Sequence, residues 1–269
     1  LPNGEVLEKA YSLFSPHLKI HDETSHDHWD VIYQNKGGTY SYVYTLEKRK
    51  QHRANKYKKV EEFEKIYNKL VNNIKKCLVD KNDIMAITMH TLIKTYMRIG
   101  NETYFKANGH RGLTTLTKEN INVKENIVVF DYIGKDGVPL NLTEEFPKVY
   151  VNKLKKLLKK IKTHDFVFVN ETNHHLRETS FKKAFKEYSG KEFYPHIVRS
   201  YFATKEAKKF LKKKKTSKKE LKEFYLSIAE KLGHKKFVKK DNQWEASFNV
   251  TVSHYIDPTI VEKINSLVK

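Results

Sequence analysis

The spacing of apolar residues changes along the chain, and each change marks an element. In DVIYQ (30–34) and TYSYVYTL (39–46) apolar and polar positions alternate on either side of NKGG (35–38), which predicts a β-hairpin. Tyr40, Tyr42 and Tyr44 fall on one face of its second strand, where they serve either a small core or a binding surface. From Val60 the period becomes helical, with Phe63, Ile66, Tyr67, Leu70, Val71 and Ile74 forming one stripe. A second, apolar helix is predicted over about 82–97. Strands follow at 121–123 and 127–133, and GKDG (134–137) turns the chain back into VPLNL (138–142). Further helices are predicted at 145–162, 175–188, 196–213, 217–232 and 258–268. Ser217-x-x-Glu220 reads as a capping box, Gly233 as a C-terminal cap, and Asp257-Pro258 as an N-cap with proline in the first turn.

No internal repeat interrupts this order. The pattern predicts an α+β protein: a small β-containing N-terminal piece, residues 1–56, and a mainly helical domain with a three-stranded sheet, residues 57–269. The boundary is placed in the charged run KRKQHRANKYKK (48–59). Residues 1–28 are polar and without period. Their HDETSHDH stretch (21–28) reads as a solvated loop rather than a metal site.

Composition narrows the function. Of 269 residues, 52 are Lys or Arg against 32 Asp or Glu, a net charge of +20, which fits a nucleic-acid partner. Cys77 is the lone cysteine, which excludes an internal disulfide framework and a cysteine-based zinc site. The N-x-S/T sequons at Asn101, Asn141, Asn170 and Asn249 then read as chance. No apolar run approaches the roughly eighteen residues of a membrane span, and no signal-peptide core opens the chain, so an intracellular protein with no membrane partner is expected. Arginines are scarce beside lysines, which makes each of Arg49, Arg53, Arg98, Arg111, Arg177 and Arg199 a candidate for forked phosphate recognition.

The usual phosphate-chemistry motifs are absent: no Walker loop, no G-x-G-x-x-G, no H-E-x-x-H and no carboxylate cluster for a two-metal nuclease. Covalent catalysis by a hydroxyl is the remaining route for a basic protein acting on a phosphodiester. Arg98 lies in RIGNETY, GLTTL spans 112–116, Lys135 lies in IGKDGV, and His196 and Arg199 lie in PHIVRSYFATKEA. His234 closes KLGH, and Tyr255 stands in SHYIDPTIVEKI. In this order, over roughly 40–269, the chain resembles the small type IB DNA topoisomerases of large DNA viruses and some bacteria.

The resemblance implies a tyrosine recombinase/topoisomerase IB-like fold and a defined chemistry. Tyr255 would attack a backbone phosphate and form a 3′-phosphotyrosyl bond, and religation would follow strand swivelling, with neither ATP, metal nor other cofactor. Arg98, Arg199 and His234 would hold the non-bridging oxygens. Lys135 would protonate the leaving 5′-oxygen, and burial among the arginines would ease its loss of that proton. Double-stranded DNA is the implied partner of a monomer, with Tyr104, Tyr42, Tyr44, Arg53 and His196 as further DNA contacts. Taken singly, each residue has a plainer reading, and His196 would simply cap the helix that Pro195 opens.

Two departures from the family pattern stand out. The nucleophile follows His234 at a distance of 21 residues, longer than in compact members, and FVKKDNQWEASFNVTV (237–252) looks like an inserted loop or short hairpin. Such an insertion could hold Tyr255 off the site until DNA binds, a role the sequence leaves open, and it makes His254 a rival to His234. The N-terminal piece is also short for the family, so a reduced or trimmed clamp with weaker affinity or site selection is expected. A tyrosine recombinase is the nearest rival, disfavoured by RIGN, GLTTL and the lack of an obvious exchange helix after Tyr255. An architectural DNA-binding protein without chemistry is the other.

Overall fold

A computed structural model describes residues 1–269 except 2, 22–28, 36, 37, 39, 81, 82 and 269. Most of the HDETSHDH stretch, part of the NKGG turn and the first residue of the predicted 82–97 helix lie outside the described residues. The chain is mixed α and β, mainly helical with small antiparallel sheets, and it divides into two compact units, Leu1–Lys59 and Val60–Lys269.

In the first unit, β1 (Lys19–Ile20), β2 (Val31–Gln34) and β3 (Tyr40–Val43) form an antiparallel sheet, with Val31 opposite Val43 and Ile32 opposite Tyr42. Alternation gives the two valines full burial and leaves Tyr40 and Tyr42 exposed. Asp30 is buried where the sheet meets the start of α1 (Leu46–Asp80). Its carboxylate accepts from the Thr45 N–H at 2.7 Å and pairs with Lys48 at 2.7 Å. The charged run read as a boundary is therefore helical. Lys, Arg and Gln are strong helix formers, and the run lacks only the apolar stripe that would reveal it.

The core of the second unit starts from the predicted stripe. Val60, Phe63, Leu70, Ile74 and Leu78 are buried, and the Phe63 ring meets Phe185, Phe193 and Tyr201 edge-on. Helix α2 (Ile84–Thr95) is almost wholly buried, and its threonines satisfy their hydroxyls on carbonyls four residues back. Helix α3 (Glu102–Asn108) follows, then the antiparallel sheet of β4 (Ile121–Lys124), β5 (Ile127–Ile133) and β6 (Pro139–Glu145). Val128, Phe130 and Tyr132 on β5 point inward at the expected period of two. Helices α4 (Lys148–Lys160), α5 (Glu178–Ser189), α6 (Ile197–Phe210) and α7 (Lys218–Lys231) complete the body. The segment after His234 forms a hairpin, β7 (Lys235–Val238) and β8 (Gln243–Ala246), then α8 (Asn249–His254) and α9 (Pro258–Asn265). No described helix is long and apolar enough to cross a membrane.

Candidate active site

Arg98 lies just past the end of α2, where Tyr96 takes a left-handed conformation with φ of 56°. That turn costs a non-glycine residue strain, and it aims the Tyr96 carbonyl at Arg199. The Arg98 backbone is fixed by GLTTL: the Leu113 N–H donates to the Arg98 carbonyl at 2.8 Å, and the Thr114 N–H to the Ile99 carbonyl at 2.7 Å. The two segments approach so closely that a Cβ on Gly112 would lie 2.4 Å from the Gly100 nitrogen and 2.7 Å from the Arg98 carbonyl. Only glycine fits there, which gives RIGN and GLTTL a shared structural reason.

Arg199 projects from α6 and is 2% exposed. Its guanidinium donates to the carbonyls of Tyr96 and Leu232 and, at 3.0 Å, to His234 Nε2. The Tyr255 ring lies 5.2 Å from its central carbon, while the Arg199 Nε–H has no hydrogen-bond partner among the described residues. Burial and the nearby Arg98 charge push the Arg199 pKa down, against the pull of Tyr255.

His234 follows α7 at Gly233, whose φ of 67° and contact with Leu140 suit glycine. The imidazole is 7% exposed, and burial with the charges of Arg199 and Arg98 pushes its pKa down to about 3. It is therefore neutral at neutral pH. Since Nε2 accepts from Arg199, the proton sits on Nδ1, 2.7 Å from the Thr251 hydroxyl.

Arg98, Lys135, Arg199 and His234 line one cleft of about 330 Å³, in which Asp136 is the sole acid among the described lining residues. Lys135 reaches it from the turn between β5 and β6. The burial expected of Lys135 is absent, since its side chain is exposed. At the tip of a tight turn between two strands a long side chain extends into solvent. Tyr132 and Arg111 also line the cleft, and the Tyr132 phenol is pushed up by burial against the lowering charges of Arg199 and Arg98.

Tyr255 is 3% exposed and lies behind this wall, its ring 4.7 Å from that of His234 and 5.1 Å from that of His196. Thus the inserted segment does not hold Tyr255 away from Arg199 and His234 in the free protein. It forms its own ribbon, and α8 delivers the tyrosine to them. His254, the rival histidine, is exposed beside Ser253, and its ring is not among those lining the cleft. His196 is exposed, makes no side-chain cap bond to α6, and lines a smaller pocket with Arg98 and Arg199.

Tyr104 is half exposed on α3. In the first unit Tyr42 is exposed, Tyr44 meets His52 edge-on, and Arg53 is exposed on α1, where its charge adds to burial in pushing Lys56 down to about 8. Three contributors escaped the sequence reading: Thr251 and the carbonyls of Tyr96 and Leu232. Carbonyls carry no residue signature, and a threonine four positions before a tyrosine carries a weak one.

The arrangement gathers two guanidiniums, an ammonium, a neutral imidazole and a phenol, which is chemistry for holding an anion beside a nucleophile. The family model for eukaryotic DNA topoisomerase I, catalytic core, matches residues 46–255. A DNA topoisomerase 1B of Acanthamoeba polyphaga mimivirus is 25% identical over 71% of this chain and 66% of its own length. The DNA topoisomerase 1B of vaccinia virus (strain Copenhagen) is 33% identical over 37% of this chain and 32% of its own. The chain therefore spans just under two thirds of the first relative and about a third of the second. Among solved structures, the XerH site-specific recombinase bound to its difH substrate aligns with a TM-score of 0.46 at 16% identity, over 74% of this chain and 52% of that one. With the match running from the first residue of α1 to Tyr255, the chain belongs to the DNA topoisomerase I family.

Proposed function

We propose that this protein relaxes supercoiled duplex DNA by the type IB reaction, acting as a monomer without ATP or metal. The observation that carries the reading is the packing of Tyr255 against Arg199 and His234, at the wall of a cleft that Arg98 and Lys135 also line.

A phosphodiester entering the cleft meets Arg98 and Arg199, which neutralise its non-bridging oxygens. Arg199 is the stronger partner, because a buried charge is poorly screened. The phosphate competes for the guanidinium that now holds Tyr255 and His234, and so frees the phenol to face phosphorus. Attack forms the bond from the Tyr255 oxygen to phosphorus, with the phenolic proton passing to water in the cleft, and breaks the bond from phosphorus to the 5′-oxygen. Lys135, which lines the cleft from an exposed turn, supplies the proton to that leaving oxygen.

His234 becomes a donor to the phosphate once its proton moves from Nδ1 to Nε2. The Thr251 hydroxyl, which can donate as well as accept, satisfies either tautomer. The freed strand swivels, and attack of its 5′-hydroxyl on the phosphotyrosine reverses the reaction. Energy is conserved in the covalent bond. His196 and Tyr104 extend the DNA contacts around the cleft, and the N-terminal unit contributes its own through Tyr42, Tyr44 and Arg53.

The test is relaxation of supercoiled plasmid in EDTA without ATP. Wild type is expected to relax it and Tyr255→Phe to bind without relaxing. Relaxation by both proteins, or by neither, would overturn the reading.

A further inference from the structure

Between His234 and Tyr255 the chain forms a two-stranded ribbon, β7–β8, whose pairing of Phe237 with Trp244 and Val238 with Gln243 leaves a four-residue turn at 239–242. Asn242 takes the left-handed conformation that this turn requires, φ 49°. The ribbon grows directly out of the site. Its first strand begins at the residue after His234, and the Ser247 N–H closes its base on the His234 carbonyl at 2.9 Å. Its second strand leads into α8, which carries Thr251 and ends at Tyr255. The Lys235 ammonium donates to the Pro139 carbonyl at 2.8 Å and ties the base to β6.

Its outer part is built differently from a structural hairpin. Lys236, Lys239 and Lys240 are exposed, and no ion pair among the described residues holds any of them. Phe237 is 45% exposed, its ring edge-on to Trp244 at 5.4 Å. The three lysines outnumber the acids beside them, Asp241 in the turn and Glu245 opposite Lys236, and a half-exposed phenylalanine wastes apolar surface. Neither feature helps an isolated ribbon to form. Both suit a polyanion with an apolar edge, as a nucleic-acid backbone presents phosphates and deoxyribose. Lys236 also lines the cleft, so the ribbon continues its positive wall outward.

We infer that β7–β8 is a grip on the duplex backbone next to the cleaved phosphate, with Lys236, Lys239 and Lys240 on phosphates and Phe237 against the sugar edge. This rests on the reading of the cleft as a site for duplex DNA. Because both strands run into site residues, DNA held by the ribbon is held in register with His234 and Tyr255.

The test is the salt dependence of binding to a short duplex, measured for wild type, Lys239→Ala/Lys240→Ala and the same pair with Phe237→Ala. Each lost phosphate contact lowers the slope of log affinity against log salt by about 0.9, so the double variant should lose about 1.8. Adding Phe237→Ala should weaken binding further without changing the slope. A wild-type protein with no salt-dependent binding would sink the reading of the cleft. A wild type that binds with a steep slope matched by the double variant would sink the ribbon inference alone. Should the variants fail to fold, the emission of Trp244 in a Trp29→Phe background, where it is the lone tryptophan, decides instead. A change on adding duplex is expected, and silence would overturn the inference.

Discussion

The two walls of the cleft are built on opposite principles. Arg199 and His234, with Tyr255 packed behind them, form a buried wall in which nearly every polar group already has a partner. Lys135 forms the other wall from an exposed turn. The buried side is pre-organised, and its charges act in a medium that screens them poorly. The exposed side keeps its ammonium hydrated until substrate arrives. Stability and chemistry are therefore coupled on the first wall and separable on the second.

Arg199→Ala should break the buried wall most severely. It removes one of the two proposed phosphate clamps and strands the Tyr96 and Leu232 carbonyls, so cleavage should fall by about three orders of magnitude or more. Stability should fall by about 3 kcal/mol, read by urea denaturation. Lys135→Ala sharpens the contrast from the other side. The cleavage rate should fall by about 10²–10⁴ as the proton donor is lost, while the thermal midpoint stays put. A substrate whose leaving oxygen needs no proton should restore the rate of this variant and not that of Arg199→Ala.

Thr251→Val is a finer probe. It leaves His234 Nδ1 without its partner, so only the Arg199 contact still orients the ring, and a loss of about tenfold in rate with about 1 kcal/mol of stability is expected. A Thr251→Ser variant should recover both.

The effect of pH falls on stability rather than on rate. His234 is pushed down to about 3 and His90, buried against Lys75 and Lys94, to about 4. Both take up protons more readily when unfolded. Stability is therefore full above their ordinary value of 6.5 and is lost as pH falls from there towards the folded values. Denaturation at pH 7.5 and 5.5 should differ by about 2–3 kcal/mol. His234→Gln should flatten part of that difference.

The same contrast explains what could be read in advance. Elements with a long apolar period, such as the stripe from Val60 and strand β5, were legible because packing imposes the period. The start of α1 was not, since a lysine-rich helix held by propensity and the Asp30–Lys48 pair shows no stripe. Helices α3 and α8, of seven and six residues, are too short for a period to emerge. In the cleft, Arg98, Lys135, Arg199 and His234 stood in recognisable local runs, and the fold brings them together. What holds Arg199 was hidden, because backbone carbonyls have no letter in a sequence. The exposure of Lys135 was also missed. Whether a turn is covered depends on its neighbours in space.

The most direct test of the central claim is to trap the reaction with denaturant on a duplex labelled at either end of the cleaved strand. The account predicts a covalent adduct through Tyr255 that carries the 5′-labelled fragment, with the 3′-labelled fragment released bearing a 5′-hydroxyl. An adduct carrying the 3′-labelled fragment, or one that persists in Tyr255→Phe, would contradict it.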